Sequence, residues 1–384
     1  LHNGRIVLPD AIVEGRAVII EGGKIAALTA VDEAGSDGEW IDVAGRLIAP
    51  GLIDIHIHGA HGHTFNDSTA AAFETITREN ARRGVTALLA TTATAPIADL
   101  VDCLAYGHEW MAEPRPGAQV LGMHVEGPYF DLAQAGAQDP ANIRNPDDGT
   151  VEQLLTHHDI IRIFTFAPEL PGTPALTARL VDLGIVAAAG HSSAKEEEVA
   201  PLIEAGLSHM IHIWSAQSST VREGPWRKPG LLEVSLTDER LTIEMIADNK
   251  HLPPTLMKLA YRSIGPDRLC IISDATSGAG LAQGTRFRMG ELEYEVHDGV
   301  GMLFDRTAFA GSTTFVNQMI PIVSNEVGVP LVEAVRMASL TPARVIGVDD
   351  RKGSIAPGKD ADLAVFDVDF NAWRVMIGGR WIEQ

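Results

Sequence analysis

Short apolar runs recur along the middle of the chain about every 20–40 residues, with helix-period segments between most of them. Eight such runs predict strands. They are Leu52–His58, Thr86–Thr92, Val120–Glu126, Ile161–Ala167, Ile185–His191, His209–Ser215, Leu241–Asp248 and Leu269–Asp274. Helices are predicted over Thr69–Arg83, Ile97–Met111, Ala194–Ala205 and Pro330–Ser339. Eight strands alternating with helices predict a (β/α)8 TIM barrel. Two longer connections, near 216–240 and 277–311, interrupt the rhythm. The second contains the strand-like Glu291–Val296 and predicts a hairpin.

The two ends of the chain read differently. Residues 1–48 are short β-rich runs, such as Ala17–Ile20, set off by turn signals at Asn3-Gly4 and Glu21-Gly22-Gly23-Lys24. The C-terminal stretch repeats this character in Ala361–Phe366 and Val375–Arg380. Neither end alone has enough strands to bury a core. The expected organisation is therefore a small β-sandwich domain from 1–48 plus 345–384, and a catalytic barrel over 49–344.

Composition narrows the partners. The chain has 384 residues, 45% of them hydrophobic, and a formal charge of −21. That charge argues against nucleic acid and anionic membrane as partners. A small anionic substrate remains compatible, provided that a local cationic pocket receives it. No stretch has the ~18 uncharged apolar residues of a membrane helix, and no basic-then-apolar signal peptide is visible. Cys103 and Cys270 are too far apart in sequence to form a metal-ligand pair, so they read as buried thiols in a reducing cytoplasm.

The first barrel run ends in His56-Ile57-His58. Residues at i and i+2 of a strand face the same side, so both imidazoles look into one space. That is metal-site geometry, and imidazole suits zinc, iron and nickel. Other runs end in chemistry too: Glu126, His191, His212 and Asp274. Five of the eight strand ends carry metal-ligand or acid–base types, on the face where such barrels place their active sites.

With Pro50-Gly51-Leu52-Ile53-Asp54 before the histidine pair, His124-Val125-Glu126-Gly127-Pro128, Gly190-His191-Ser192, Ile246-Ala247-Asp248 followed by His251, and Ser273-Asp274-Ala275-Thr276, the chain resembles the amidohydrolase superfamily. More narrowly, it resembles the N-acetylglucosamine-6-phosphate deacetylases. The resemblance spans nearly the whole chain. It implies that Glu126, His191 and His212 hold one divalent metal, and that His56 and His58 hold a second with Glu126 bridging. One or two ions are thus expected, with zinc first and iron, cobalt, manganese or nickel as alternatives. Asp274 is implied as the catalytic acid–base, and the products as acetate and an amino sugar phosphate.

The substrate positions depart from the family pattern. The family's K-G-A-H stretch is replaced by Gln134-Ala135-Gly136-Ala137-Gln138, so Gln138 stands where a histidine contacts the sugar. Ser215-Ala216 stand where Asn-Ala contact the phosphate. Arg227 takes the phosphate-binding arginine position by its spacing to Pro229-Gly230, with Arg222 as competitor, and His251 is retained. In the family that arginine reaches the neighbouring subunit's site, which implies a homodimer. His63, together with His61, is a pocket candidate in the loop after the first strand. His124 shares a strand face with Glu126 and is expected to support the ligands. His209 precedes His212 by an odd interval and is expected on the opposite face.

The expected function is metal-dependent deacetylation of N-acetylglucosamine 6-phosphate or a close N-acetylhexosamine phosphate, such as the N-acetylgalactosamine form. Two alternatives stand beside it. One is another amidohydrolase, either an N-acyl amino acid deacylase or a cyclic amidase. The other is a non-catalytic sugar-phosphate-binding protein on the same fold.

Overall fold

The computed structural model describes residues 1–35, 38–290 and 292–383. All eight predicted barrel strands form. They are β1 (Leu52–Ile57), β2 (Val85–Thr92), β3 (Gln119–Glu126), β4 (Ile161–Phe166), β5 (Val186–Ala189), β6 (His209–Met210), β7 (Thr242–Ile246) and β8 (Leu269–Ile272). They lie side by side in sequence order, each parallel to the next. The sheet closes where Asp274 N–H donates to His56 O (2.9 Å) and His58 N–H to Ala275 O (2.8 Å). Every residue of β1 and β2 is buried, which explains why these strands read as continuous apolar runs: helices cover one face and the barrel interior the other.

The outer helices follow the predicted apolar stripes. The helix Ala70–Ala81 starts at Thr69, whose hydroxyl accepts from Ala72 N–H, and it buries Phe73 and Ile76. The helix over Ile97–Met111 forms with the predicted bounds. The sixth strand is a correction. Expected through Ser215, it ends at Met210, and His212 has φ 23°. The Gln217 side chain braces the turn: its amide donates to Ile211 O (2.9 Å) and its carbonyl accepts from Trp214 N–H (3.3 Å).

The connection after β8 holds more than one hairpin. It is a four-stranded antiparallel sheet of Arg286–Met289, Leu292–His297, Val300–Met302 and Phe309–Ser312, with a core of Phe287, Tyr294, Val296 and Ala310. Glu291, placed at the head of the predicted hairpin strand, lies outside the described residues. This insert leans on the barrel mouth through Ser312 N–H to Asp274 O (2.9 Å) and Tyr294 Oη to Ala137 O (2.7 Å).

Strands from both chain ends share one six-stranded sheet, with Arg5–Val7 and Leu47–Pro50 running beside Leu363–Phe366 and Ala372–Ile377. The hairpin Arg16–Glu21/Lys24–Ala30 packs on it through Val18 and Ile25 against Ile6, Ile48 and Leu363, giving a small sandwich. No helix among the described residues is long and apolar enough to cross a membrane.

Candidate metal-dependent active site

Glu126, at the end of β3, is the centre of the barrel mouth. Its Oε1 lies 3.1 Å from His212 Nε2, 3.2 Å from His191 Nε2 and 3.4 Å from His56 Nε2. Its other oxygen lies 3.3 Å from His58 Nε2. Asp274 Oδ1, just past β8, is 3.3 Å from the same His58 nitrogen and 3.7 Å from His56 Nε2. The five expected metal ligands and the expected base are thus gathered at one point.

The Nδ1 contacts reveal what this cluster suits. His191 Nδ1 faces Gln134 O (2.8 Å), His212 Nδ1 faces Ser215 O (3.2 Å) and His56 Nδ1 faces the Glu244 carboxylate (2.7 Å). Each Nδ1 must carry the proton, because its partner only accepts. In the neutral ring, each Nε2 then aims a lone pair at a carboxylate oxygen. Among the described residues, buried His56 Nε2 has no hydrogen-bond partner. Lone pairs and carboxylate oxygens converging on one point are the donor set of a divalent cation, so these residues fit the metal that the family resemblance implies.

Backbone strain marks the same residues. His191, His212 and Asp274 have φ of 46°, 23° and 47°, in the left-handed region that non-glycine residues avoid. Such positions cost about 1–3 kcal/mol each and persist where surrounding structure holds them. Gly190 lets His191 sit there, since a Cβ on it would lie 2.2 Å from Ile211 Cγ1. Burial works to raise the pKa of Asp274, but His58 and His56 outweigh it and hold the carboxyl below its ordinary value.

Behind the ligands lie supporting groups. Glu244, on β7, is fully buried and bridges His56 Nδ1 and His209 Nε2 (3.1 Å). It escaped the sequence reading; its only signal was a lone carboxylate in the apolar strand Thr242-Ile243-Glu244-Met245-Ile246. His209 therefore joins the network behind His56, although it was expected on the opposite strand face. The alternation argument fails because β6 ends between it and His212. His124, expected to support the ligands, packs edge-on against the His56 ring. His124 Nδ1–H donates to Ile55 O (3.1 Å), Nε2 accepts from Thr165 Oγ1 (2.8 Å), and burial lowers its pKa to about 3, keeping the ring neutral. Asp54 accepts from Ser273 Oγ and from the backbone N–H of Ser273 and His56, tying β1 to β8, and burial raises its pKa to about 7.

Above the cluster opens a cavity of about 280 Å³, with Glu126, His191, His212 and Asp274 at its floor and Ser215, Ala216 and His251 in its wall. Asp248 accepts from His251 Nδ1–H (2.8 Å) and Ser312 Oγ (2.8 Å), which leaves His251 Nε2 for a ligand. Phe309 packs edge-on against that ring. One pocket candidate, His63, needs correction, and two expected substrate-binding residues, Gln138 and Arg227, are placed as follows. Gln138 borders the cavity, but both ends of its amide are engaged by the protein, at Thr94 N–H and Glu126. His63 lies beside Asp67 at 3.6 Å with its side chain 39% exposed, outside the cavity, because the loop after β1 turns it outward. Arg227 lies on the exposed hairpin Val221–Glu223/Trp226–Lys228, opposite Arg222 and outside the cavity of its own chain. Among the described residues, no lysine or arginine lines that cavity.

Comparison with known proteins agrees with this architecture. The amidohydrolase family model matches residues 47–382. An N-acetylgalactosamine-6-phosphate deacetylase of Escherichia coli is 30% identical, over 99% of this chain and 98% of its own. The N-acetylglucosamine-6-phosphate deacetylase structure from Pasteurella multocida superposes with a TM-score of 0.93 at 30% identity, covering 100% of this chain and 98% of its own. A mutant Mycobacterium smegmatis N-acetyl-D-glucosamine-6-phosphate deacetylase, solved with N-acetyl-D-glucosamine 6-phosphate, superposes at 0.90 with 29% identity, over 99% of this chain and 98% of its own. With a family model matched over most of its length and its ligands converged at the strand ends, this chain belongs to the amidohydrolase family.

Proposed function

We propose that this protein is a metal-dependent hydrolase that removes the acetyl group from an N-acetylhexosamine 6-phosphate, giving acetate and the amino sugar phosphate. The observation that carries this reading is the convergence of Glu126, His191, His212 and Asp274 on the floor of one cavity whose wall holds His251 and Ser215. A poised base beside a metal-binding cluster serves hydrolysis, and a pure sugar-phosphate binder has no need of one.

Glu126, His191 and His212 would hold a divalent ion, with His56 and His58 available for a second; when bound, it would supply an acidified water and polarisation of the acetyl carbonyl. Zinc is the ion we expect from this nitrogen and oxygen donor set. Asp274 does the proton work. Its carboxylate takes a proton as the water oxygen bonds to the acetyl carbon. It then hands that proton to the sugar nitrogen as the C–N bond breaks. Glu244 fixes the ring of His56, and Ser215 O fixes that of His212, so the ligand nitrogens stay aimed while the substrate enters. His251 Nε2 faces the cavity for a polar group of the sugar phosphate.

Among the described residues the cavity has no lysine or arginine, whereas a phosphate calls for one. The exposed hairpin carrying Arg222 and Arg227 supports a homodimer in which one subunit's hairpin serves the other's cavity. The buried thiols Cys103 and Cys270 support a cytoplasmic setting. Strands from both chain ends in one sheet support the division into a small β domain and a barrel.

The test is acetate release by the metal-loaded protein from N-acetylglucosamine 6-phosphate and from its galactosamine counterpart. Release from at least one is expected, with kcat about 100- to 10,000-fold lower in Asp274→Asn at unchanged metal content. No acetate from either sugar, with the ion bound, would overturn the substrate reading.

A further inference from the structure

We propose that Gln138 is a positioning residue for the metal-binding carboxylate, and not the sugar contact that its place in the sequence suggests. The proposal rests on reading the cavity as a metal-dependent site. Gln138 is 8% exposed, and its amide oxygen and one of its two amide N–H groups are engaged by the protein. Its Oε1 accepts from Thr94 N–H (2.7 Å), in the loop after β2, and its Nε2 donates to Glu126 Oε2. The assignment has one sense only: a backbone N–H demands the amide oxygen, and a carboxylate demands the NH2.

Glu126 Oε2 is the oxygen that faces His58, while Oε1 faces His191, His212 and His56. A carboxylate on a rotatable stem has no intrinsic reason to hold its two oxygens toward different sets of histidines. The Gln138 donor, anchored at its far end to another strand's loop, supplies that reason. The same short segment does this twice, because Gln134 O accepts from His191 Nδ1–H (2.8 Å). The segment is itself held, by Gln138 N–H on Ala135 O (2.9 Å) and by the Tyr294 hydroxyl of the insert on Ala137 O. Residues 134–138 thus brace two ligands of one ion, one through the main chain and one through a side chain.

Groups that orient metal ligands typically contribute 10- to 100-fold in metal affinity. The experiment measures zinc affinity by competition with a chromophoric chelator, without substrate, so an error in the substrate reading leaves the result intact. Gln138→Met keeps the length and loses both hydrogen bonds; Gln138→Asn keeps the amide but is one methylene short. Circular dichroism melts establish that each variant is folded. Both are expected to bind zinc about 10- to 100-fold more weakly, with KM near that of the wild type once zinc saturates. Wild-type zinc affinity in both variants, with a raised KM alone, would overturn the proposal and return Gln138 to the sugar.

Discussion

Two regions of this molecule bury charge, and they do it in opposite ways. In the small sheet region, Lys352 is 2% exposed and its ammonium lies against Asp362 and Asp360, with Lys24 on the far side of Asp360. Cations of the chain answer anions of the chain, and the cluster pins residues near 24 to residues near 360. At the barrel mouth, Glu126, Glu244 and Asp274 are answered by imidazoles whose outer nitrogens point into a shared space. The first cluster is complete in itself and serves the fold. The second presents ring nitrogens and carboxylate oxygens suited to a cation, which makes it a candidate site. Buried ionisable groups therefore indicate function less by their number than by whether the chain supplies the opposite charge.

This contrast can be broken experimentally. Lys352→Met leaves Asp362 buried without its partner, and the loss of a partner from a buried pair costs about 3–5 kcal/mol. Urea unfolding at neutral pH is expected to show that loss, with zinc affinity unchanged. A normal unfolding midpoint would mean that the cluster does not tie the chain ends together. Glu126→Gln tests the other region. At zinc of 100 times Kd the wild-type protein is expected to gain about 2.7 kcal/mol against unfolding, and the variant close to none. Equal gains would place the ion elsewhere.

The smallest effect sharpens the small-region side through pH. Burial works to raise the pKa of Asp360, but Lys24 and Lys352 outweigh it and lower it from the ordinary 3.8. A group with a depressed folded pKa stabilises fully above its unfolded value and loses that contribution as pH falls through the folded one. The melting-temperature difference between wild type and Asp360→Asn should hold constant from pH 7 to about 4 and shrink below that. A difference that persists unchanged at pH 2 would assign it to packing instead of charge.

Much of this was legible along the chain. The period-2 spacing of His56 and His58 placed both rings on one strand face, and they do share a space. Continuous apolar runs located all eight barrel strands, because strands covered on both faces have no polar alternation to confuse the reading. Other features were hidden for physical reasons. Glu244 is a single inward carboxylate whose partners, His56 and His209, lie 188 and 35 residues away. His209 was placed on the wrong face because its strand stops two residues sooner than an alternation argument needs. Gln138 was read by position in a motif, which says where a residue stands and not which way its side chain turns.

The amino-acid sequence by itself thus determined the barrel, the strand ends that carry chemistry and the family, since hydrophobic periodicity and residue type are local properties of the chain. Tertiary structure alone decided that Glu244 stands behind His56, that Gln138 turns to a carboxylate and that Arg227 lies outside the cavity of its own chain. Those are outcomes of barrel closure and loop packing, which bring together residues that no local pattern relates.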